Sequence, residues 1–92
     1  MDFTWDPKKA KANLKKHKVS FEEAVTTFYD PLAKVGHDPD HSNQEDRYNL
    51  IGHSQKSNLL FVVHAHRYNT ETIRIISARK ATKKEIKDFQ EL

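Results

Sequence analysis

The order of elements in this sequence predicts an α+β domain, with a small antiparallel sheet of about four to five strands, two N-terminal helices and a C-terminal helix. Three observations predict it. Residues 58–79, NLLFVVHAHRYNTETIRIISAR, hold two apolar β-type runs, Leu59 to His66 and Thr72 to Ala78, around the polar Tyr68-Asn69-Thr70-Glu71, which is a β-hairpin pattern. Asp6-Pro7 and Val19-Ser20-Phe21-Glu22-Glu23-Ala24 are helix starts ahead of that hairpin. Thr82-Lys83-Lys84-Glu85 is another behind it.

Taken in order, Phe3 to Trp5 is a short apolar entry suited to an edge strand. Asp6 caps a helix with Pro7 at its first position, and Lys8 to His17 contains no breaker. Ala10, Leu14 and His17 fall on one stripe with Asn13 beside it, while Lys8, Lys11, Lys15 and Lys16 face out. So thin a stripe needs tertiary contact to hold the helix. At the second start Ser20 accepts from the Glu23 amide, Glu23 is expected to reach back, and Val19 can staple to Ala24. Phe21, Ala24, Val25 and Phe28 form the buried stripe of that helix, which ends before Asp30-Pro31.

Leu32 to Val35 follows as a strand, Gly36 to Asn43 as a loop, and Glu45 to His53 as a strand with Glu45, Arg47, Asn49 and Ile51 on one side and Tyr48 and Leu50 on the other. Ser54 to Asn58 turns into the hairpin. A two-residue turn at Asn69-Thr70 pairs Val62 with Ser77 and Leu60 with Arg79. One face is then Phe61, Val63, Ala65, Ile76 and Ala78, read as core. The other is Leu60, Val62, His64, His66, Ile73, Ile75, Ser77 and Arg79, a mixed face where function is expected. A slip of one residue exchanges the faces of one strand. Ile86 and Phe89 give the last helix a small apolar side.

The 92 residues suffice for one domain with a modest core, and no repeat, linker or low-complexity segment divides them. With no Cys, disulfides and thiolate zinc sites are excluded. No apolar run approaches the roughly 20 residues of a membrane span, and the N-terminus lacks a signal peptide's apolar core, so a cytoplasmic protein without membrane partners is expected. Lys+Arg number 16 against 13 Asp+Glu, for a net charge of +3, but cations gather in Lys8 to Lys18 and Arg79 to Lys87. Such a patch attracts phosphate backbones, and a solvated helix face has the same composition.

His37-Asp38-Pro39-Asp40-His41 gathers two imidazoles and two carboxylates as divalent-metal ligands would, but Pro39 opposes the helix that would align the His pair; a capping polar loop explains it, and no metal or other cofactor is expected. His64 and His66 alternate on one strand and point the same way, as structural residues or as acid/base groups. Neither a nucleophile elbow nor a glycine-rich phosphate loop is present. Cleaving RNA through its own 2′-hydroxyl needs a base, positive charge around the phosphate and an acid for the departing 5′-oxygen. Arg47, Arg79 and Lys16 can supply the charge, and Glu45, His41 or His64 the proton transfers. A surface salt-bridge network uses the same residues.

Across nearly the whole chain the sequence resembles the BrnT family of bacterial toxins. The resemblance rests on Trp5-Asp6-Pro7-Lys8-Lys9-Ala10 with Asn13 and Lys16-His17, on Val19 to Ala24, on Asp30-Pro31, and on His41-Ser42 with Glu45 and Arg47. Gly52 with Ser54, and Arg74-Ile75-Ile76-Ser77-Ala78-Arg79 with Ala81 and Glu85, complete it. It implies a RelE-like fold and a metal-independent endoribonuclease toxic to its host, neutralised by a ribbon-helix-helix antitoxin encoded beside it, with operator DNA bound only through that antitoxin. It also implies that Arg47 and Arg79 hold the scissile phosphate, that Glu45 or His41 moves a proton and that Lys16 stabilises charge. His17, His64, Arg67 and Arg74 are the further RNA contacts expected. Lys18 stands where the family usually has Gly. Two other functions use the same residues: a non-catalytic antitoxin-binding and operon-regulating module, and a metal-dependent hydrolase built on the His37 to His41 loop.

Overall fold

The computed structural model describes residues 1–38, 45–66 and 71–91. Five strands, β1 (Asp2–Thr4), β2 (Lys34–His37), β3 (Asp46–His53), β4 (Leu59–His66) and β5 (Thr72–Lys80), form one sheet in the order β1-β5-β4-β3-β2. Helices α1 (Pro7–His17) and α2 (Phe21–Thr26), with a 3-10 turn at Thr27–Tyr29, lie between β1 and β2 in the chain, and α3 (Lys83–Gln90) ends it. The expected α+β class holds. The sheet is mixed rather than antiparallel, because β1 runs parallel to β5.

Each helix start works through its cap. The Asp6 side chain accepts from Lys8 N with Pro7 in the first turn, and Thr82 and Glu85 form a complete capping box. At α2 only half of the expected box forms. Ser20 accepts from Glu23 N, but the Glu23 carboxylate takes hydrogen bonds from Ser54 Oγ at 2.6 Å and Asn58 Nδ2 at 2.9 Å, tying α2 to the β3–β4 turn. A buried carboxylate needs such donors. Burial pushes the Glu23 carboxyl up, and the bonds from Asn58 and Ser54 outweigh it, holding Glu23 below its ordinary value.

The core is Val19, Phe21 and Ala24 from the helical side against Leu50, Leu60, Val62, Ile73, Ile75 and Ala78 from one sheet face. This reverses the expected faces of β4: Leu60 and Val62 are core, while Phe61 and Val63 look the other way. The turn-proximal half of the hairpin keeps the expected register, His64 with Ile75 and His66 with Ile73. Between Val63 and His64 the ladder shifts, Val63 meets Ser77, and Ile76 has no partner. That β-bulge changes the parity of β5. Core positions run Ile73, Ile75 and then Ala78, and Arg79 pairs with Phe61 on the opposite face instead of with Leu60. Asn69-Thr70, the expected turn, lies outside the described residues.

Asn13 holds this arrangement. Its Nδ2 donates to Val19 O at 2.9 Å and Ala78 O at 2.8 Å, and its Oδ1 accepts from Ala78 N at 3.1 Å. Gly52 is needed where the 3-10 turn crosses β3: a Cβ there would lie 2.9 Å from the Ala33 Cβ and 3.3 Å from Thr27 O. Asn13→Ala leaves three buried backbone groups without partners and should cost about 3 kcal/mol, roughly 15 °C in Tm by calorimetry. Lys18 ends α1 in the left-handed region at φ 61°, its N–H donating to Leu14 O. Lys18→Gly removes that steric cost and should raise stability by about 1 kcal/mol in chemical denaturation.

Candidate active site on the open sheet face

The face opposite α1 and α2 gathers most of the cations expected to meet RNA. Arg47 on β3 and Arg74 on β5 both pair with Ala65 on β4, so the two arginines flank it on one face. Ala65 is fully covered yet lies outside the core cluster. Arg74 donates to the Glu45 carboxylate, joining three of the expected residues in one group. Two covered polar atoms here, Asn49 Oδ1 and Arg74 Nε, have no hydrogen-bond partner among the described residues.

Arg79 shares the face but not the end. Its partner Phe61 is four residues from Ala65 along β4, a separation of roughly 13 Å. Its guanidinium lies 4.6 Å from the Phe61 ring centroid and makes two bonds to Glu85 of α3, at 2.8 and 2.9 Å. The Arg79 side chain is 35% exposed, so it is engaged without being sealed in. The bonds with Arg79 hold the Glu85 carboxyl below its ordinary value, against burial. Through Glu85, and through Phe89 with its ring 6.3 Å from His53, α3 meets the face away from α1 and α2.

Lys16 is exposed and His17 half-buried on α1, in the layer behind the sheet. His41 and Arg67 lie outside the described residues, as does the second half of the His37 to His41 loop. His64 is corrected most. It is 1% exposed on the core side, 4.8 Å from the Phe28 ring and stacked at 5.8 Å on Tyr48, and the bulge separates it from Arg79. A ring so placed offers RNA no surface. Burial, then the charge of nearby His66, pushes its imidazole down to about 4, against a backbone hydrogen bond at Val62.

The sequence alone does not single out one further pair. Asp30 Oδ1 accepts from Leu32 N at 2.9 Å, and Asp30 Oδ2 accepts from His53 N at 2.7 Å and lies 3.4 Å from His53 Nδ1. The backbone bonds from His53 and Leu32 hold the Asp30 carboxyl below its usual range. No spacing rule links residues 23 apart on a turn and a strand end. Asp30-Pro31 and Gly52 with Ser54 bracket the pair in the sequence.

The chain as a whole has clear matches among known proteins. The profile described as "Ribonuclease toxin, BrnT, of type II toxin-antitoxin system" matches residues 5–85, which places the molecule among the toxins of type II toxin-antitoxin systems. The chain belongs to the BrnT family. The crystal structure of the Brucella abortus ribonuclease toxin BrnT shares its fold, with TM-score 0.67 and 24% identity over 90% of this chain and 99% of that one. No curated protein matches the chain. Among the described residues no helix is long and apolar enough to cross a membrane.

The buried imidazole yields a test by pH. An unfolded His64 binds a proton near pH 6.5, while the folded one resists it down to about 4. Its stabilising contribution is therefore complete above about pH 6.5 and lost as the pH falls toward 4, by up to about 3 kcal/mol. Denaturation between pH 7 and 4 should show that loss in the wild type, and a much smaller one in His64→Leu.

Proposed function

We propose that the chain is a metal-independent endoribonuclease that cleaves RNA by attack of the 2′-hydroxyl, and that a ribbon-helix-helix antitoxin neutralises it and carries the complex to operator DNA. The observation behind this reading is the row Arg47, Ala65, Arg74 on the open face of a BrnT-family sheet, with Glu45 beside it. Arg47 and Arg74 grip the RNA backbone at one end of the face. Arg79 takes the scissile phosphate at the other, and its guanidinium fork, now on Glu85, has the geometry that a phosphate needs. Between the two ends stand Asn49 and Ser77, both paired with Val63.

Glu45 serves as the ion-pair partner of Arg74 more readily than as a free base. His64 drops out of the RNA contacts because it is buried. Lys16 remains as long-range charge on α1, with His17 beside it.

Two measurements test the reading. Expressed alone in a bacterium the chain should arrest growth, and co-expression of the neighbouring gene should relieve the arrest. The purified chain should cut RNA equally well with and without EDTA and leave 2′,3′-cyclic phosphate ends. Arg47→Ala and Arg74→Ala should each weaken RNA binding about tenfold and flatten its salt dependence by about one charge. Harmless expression together with tight binding to the neighbour's product would make the chain a regulatory module instead, and loss of cutting in EDTA would restore the metal-dependent reading.

A further inference from the structure

Thr26, Tyr29, Asp30, His53, Ser54 and Gln55 line an open depression of about 500 Å³ beside the β3–β4 turn. It continues across Thr26 and Gln55 into a second of about 230 Å³. Several of its polar groups are already used. Thr26 Oγ1 donates to Glu23 O and accepts from Gln55 N, Ser54 Oγ donates to Glu23, and Asp30 is filled by two backbone N–H groups. Three are not: among the described residues the Tyr29 hydroxyl, the Gln55 carboxamide and His53 Nε2 make no hydrogen bond, although the Tyr29 ring lies 6.4 Å from that of Phe3 and the His53 ring 6.3 Å from that of Phe89.

Each of these suits a part of a nucleotide. Tyr29 is 65% exposed and offers a ring on which an unpaired base can stack. Gln55 carries a donor and an acceptor side by side, as the edge of a base does. The Asp30 carboxylate, its side chain only 10% exposed, lies 3.4 Å from His53 Nδ1 and favours the N–H on that nitrogen, with Nε2 on the other edge of a side chain that is 50% exposed. His53 also stands near Arg79. It pairs with Leu59, whose carbonyl accepts from Ala81 N, so the two side chains start roughly 12 Å apart, two strands over. Helix α3 meets both, through Phe89 and Glu85.

We propose that this depression is the nucleoside subsite of the ribonuclease, with His53 as its proton-transfer residue and Asp30 as the positioning residue. The inference rests on the ribonuclease reading above. In the step, the 2′-hydroxyl proton passes to His53 Nε2 while the 2′-oxygen bonds to phosphorus. The bond from phosphorus to the 5′-oxygen breaks, and that oxygen takes the proton from the imidazolium. The products are a 2′,3′-cyclic phosphate and a 5′-hydroxyl, with no other reactant consumed.

The purified full chain and a short deoxy-oligonucleotide containing one ribonucleotide test it. If the wild type cuts no RNA, the ribonuclease reading fails and takes this proposal with it. If it cuts, folded His53→Gln should lose about 100-fold or more in kcat with KM changed less than about twofold. Imidazole added to His53→Ala should restore part of the rate. Asp30→Asn should lower kcat and not KM, and add nothing in the His53→Gln background. A folded His53→Gln cutting at the wild-type rate overturns the proposal and leaves the ribonuclease standing. Should the variants not fold, an all-deoxy oligonucleotide titrated into the wild type decides by NMR: shifts at Tyr29, His53 and Gln55 support the subsite, and shifts confined to the Arg47 and Arg74 end overturn it.

Discussion

The carboxamide of Asn13 makes to Ala78 the two hydrogen bonds that a neighbouring strand would make. β1 pairs with β5 only from Thr72 to Arg74, so beyond that point the edge of β5 would bury an unpaired N–H and C=O against α1. Asn13 fills the gap and, with its second Nδ2 bond to Val19 O, fastens the turn between α1 and α2 to the same place. A buried polar network of this kind stabilises only when every member is satisfied, and here each is. It sits two residues past the bulge at Ile76, fixing the shifted register that turns Ala78 into the core and Arg79 onto the open face. The orientation of a proposed catalytic arginine thus depends on one helix side chain on the other side of the sheet.

Local chemistry made much of this legible. Asp6, Ser20 and Thr82 mark the three helix starts because capping depends on neighbours within four residues, and period-two alternation places Glu45, Arg47, Asn49 and Ile51 on one side of β3. The bulge was not legible. Ile75-Ile76-Ser77 contains no glycine to mark it, so an unbroken register extrapolates from the turn and puts Ser77 and Arg79 on the same face as His64, and Ala78 on the other, the reverse of what the structure shows. Arg79 and His64 then look like neighbours, whereas the structure separates them by the thickness of the sheet. Long-range polar partners were hidden for a related reason: Glu23 chooses Ser54 and Asn58 over its own helix, and Asp30 clamps His53, through contacts that no spacing encodes.

The low net charge of +3 is reconciled with RNA binding by where the acids stand. Arg74 carries Glu45 and Arg79 carries Glu85, so two cations of the open face are neutralised at short range in the free protein. These pairs are partly exposed, and exposed ion pairs contribute only a fraction of a kcal/mol each. Exchanging such a carboxylate for a phosphate therefore costs little. The bidentate contact that holds Arg79 on Glu85 orients the guanidinium in the geometry that a two-oxygen anion takes. In the proposed RNA complex the acids of the face are place-holders for the nucleic acid backbone, and exchange frees Arg74 and Arg79 for it.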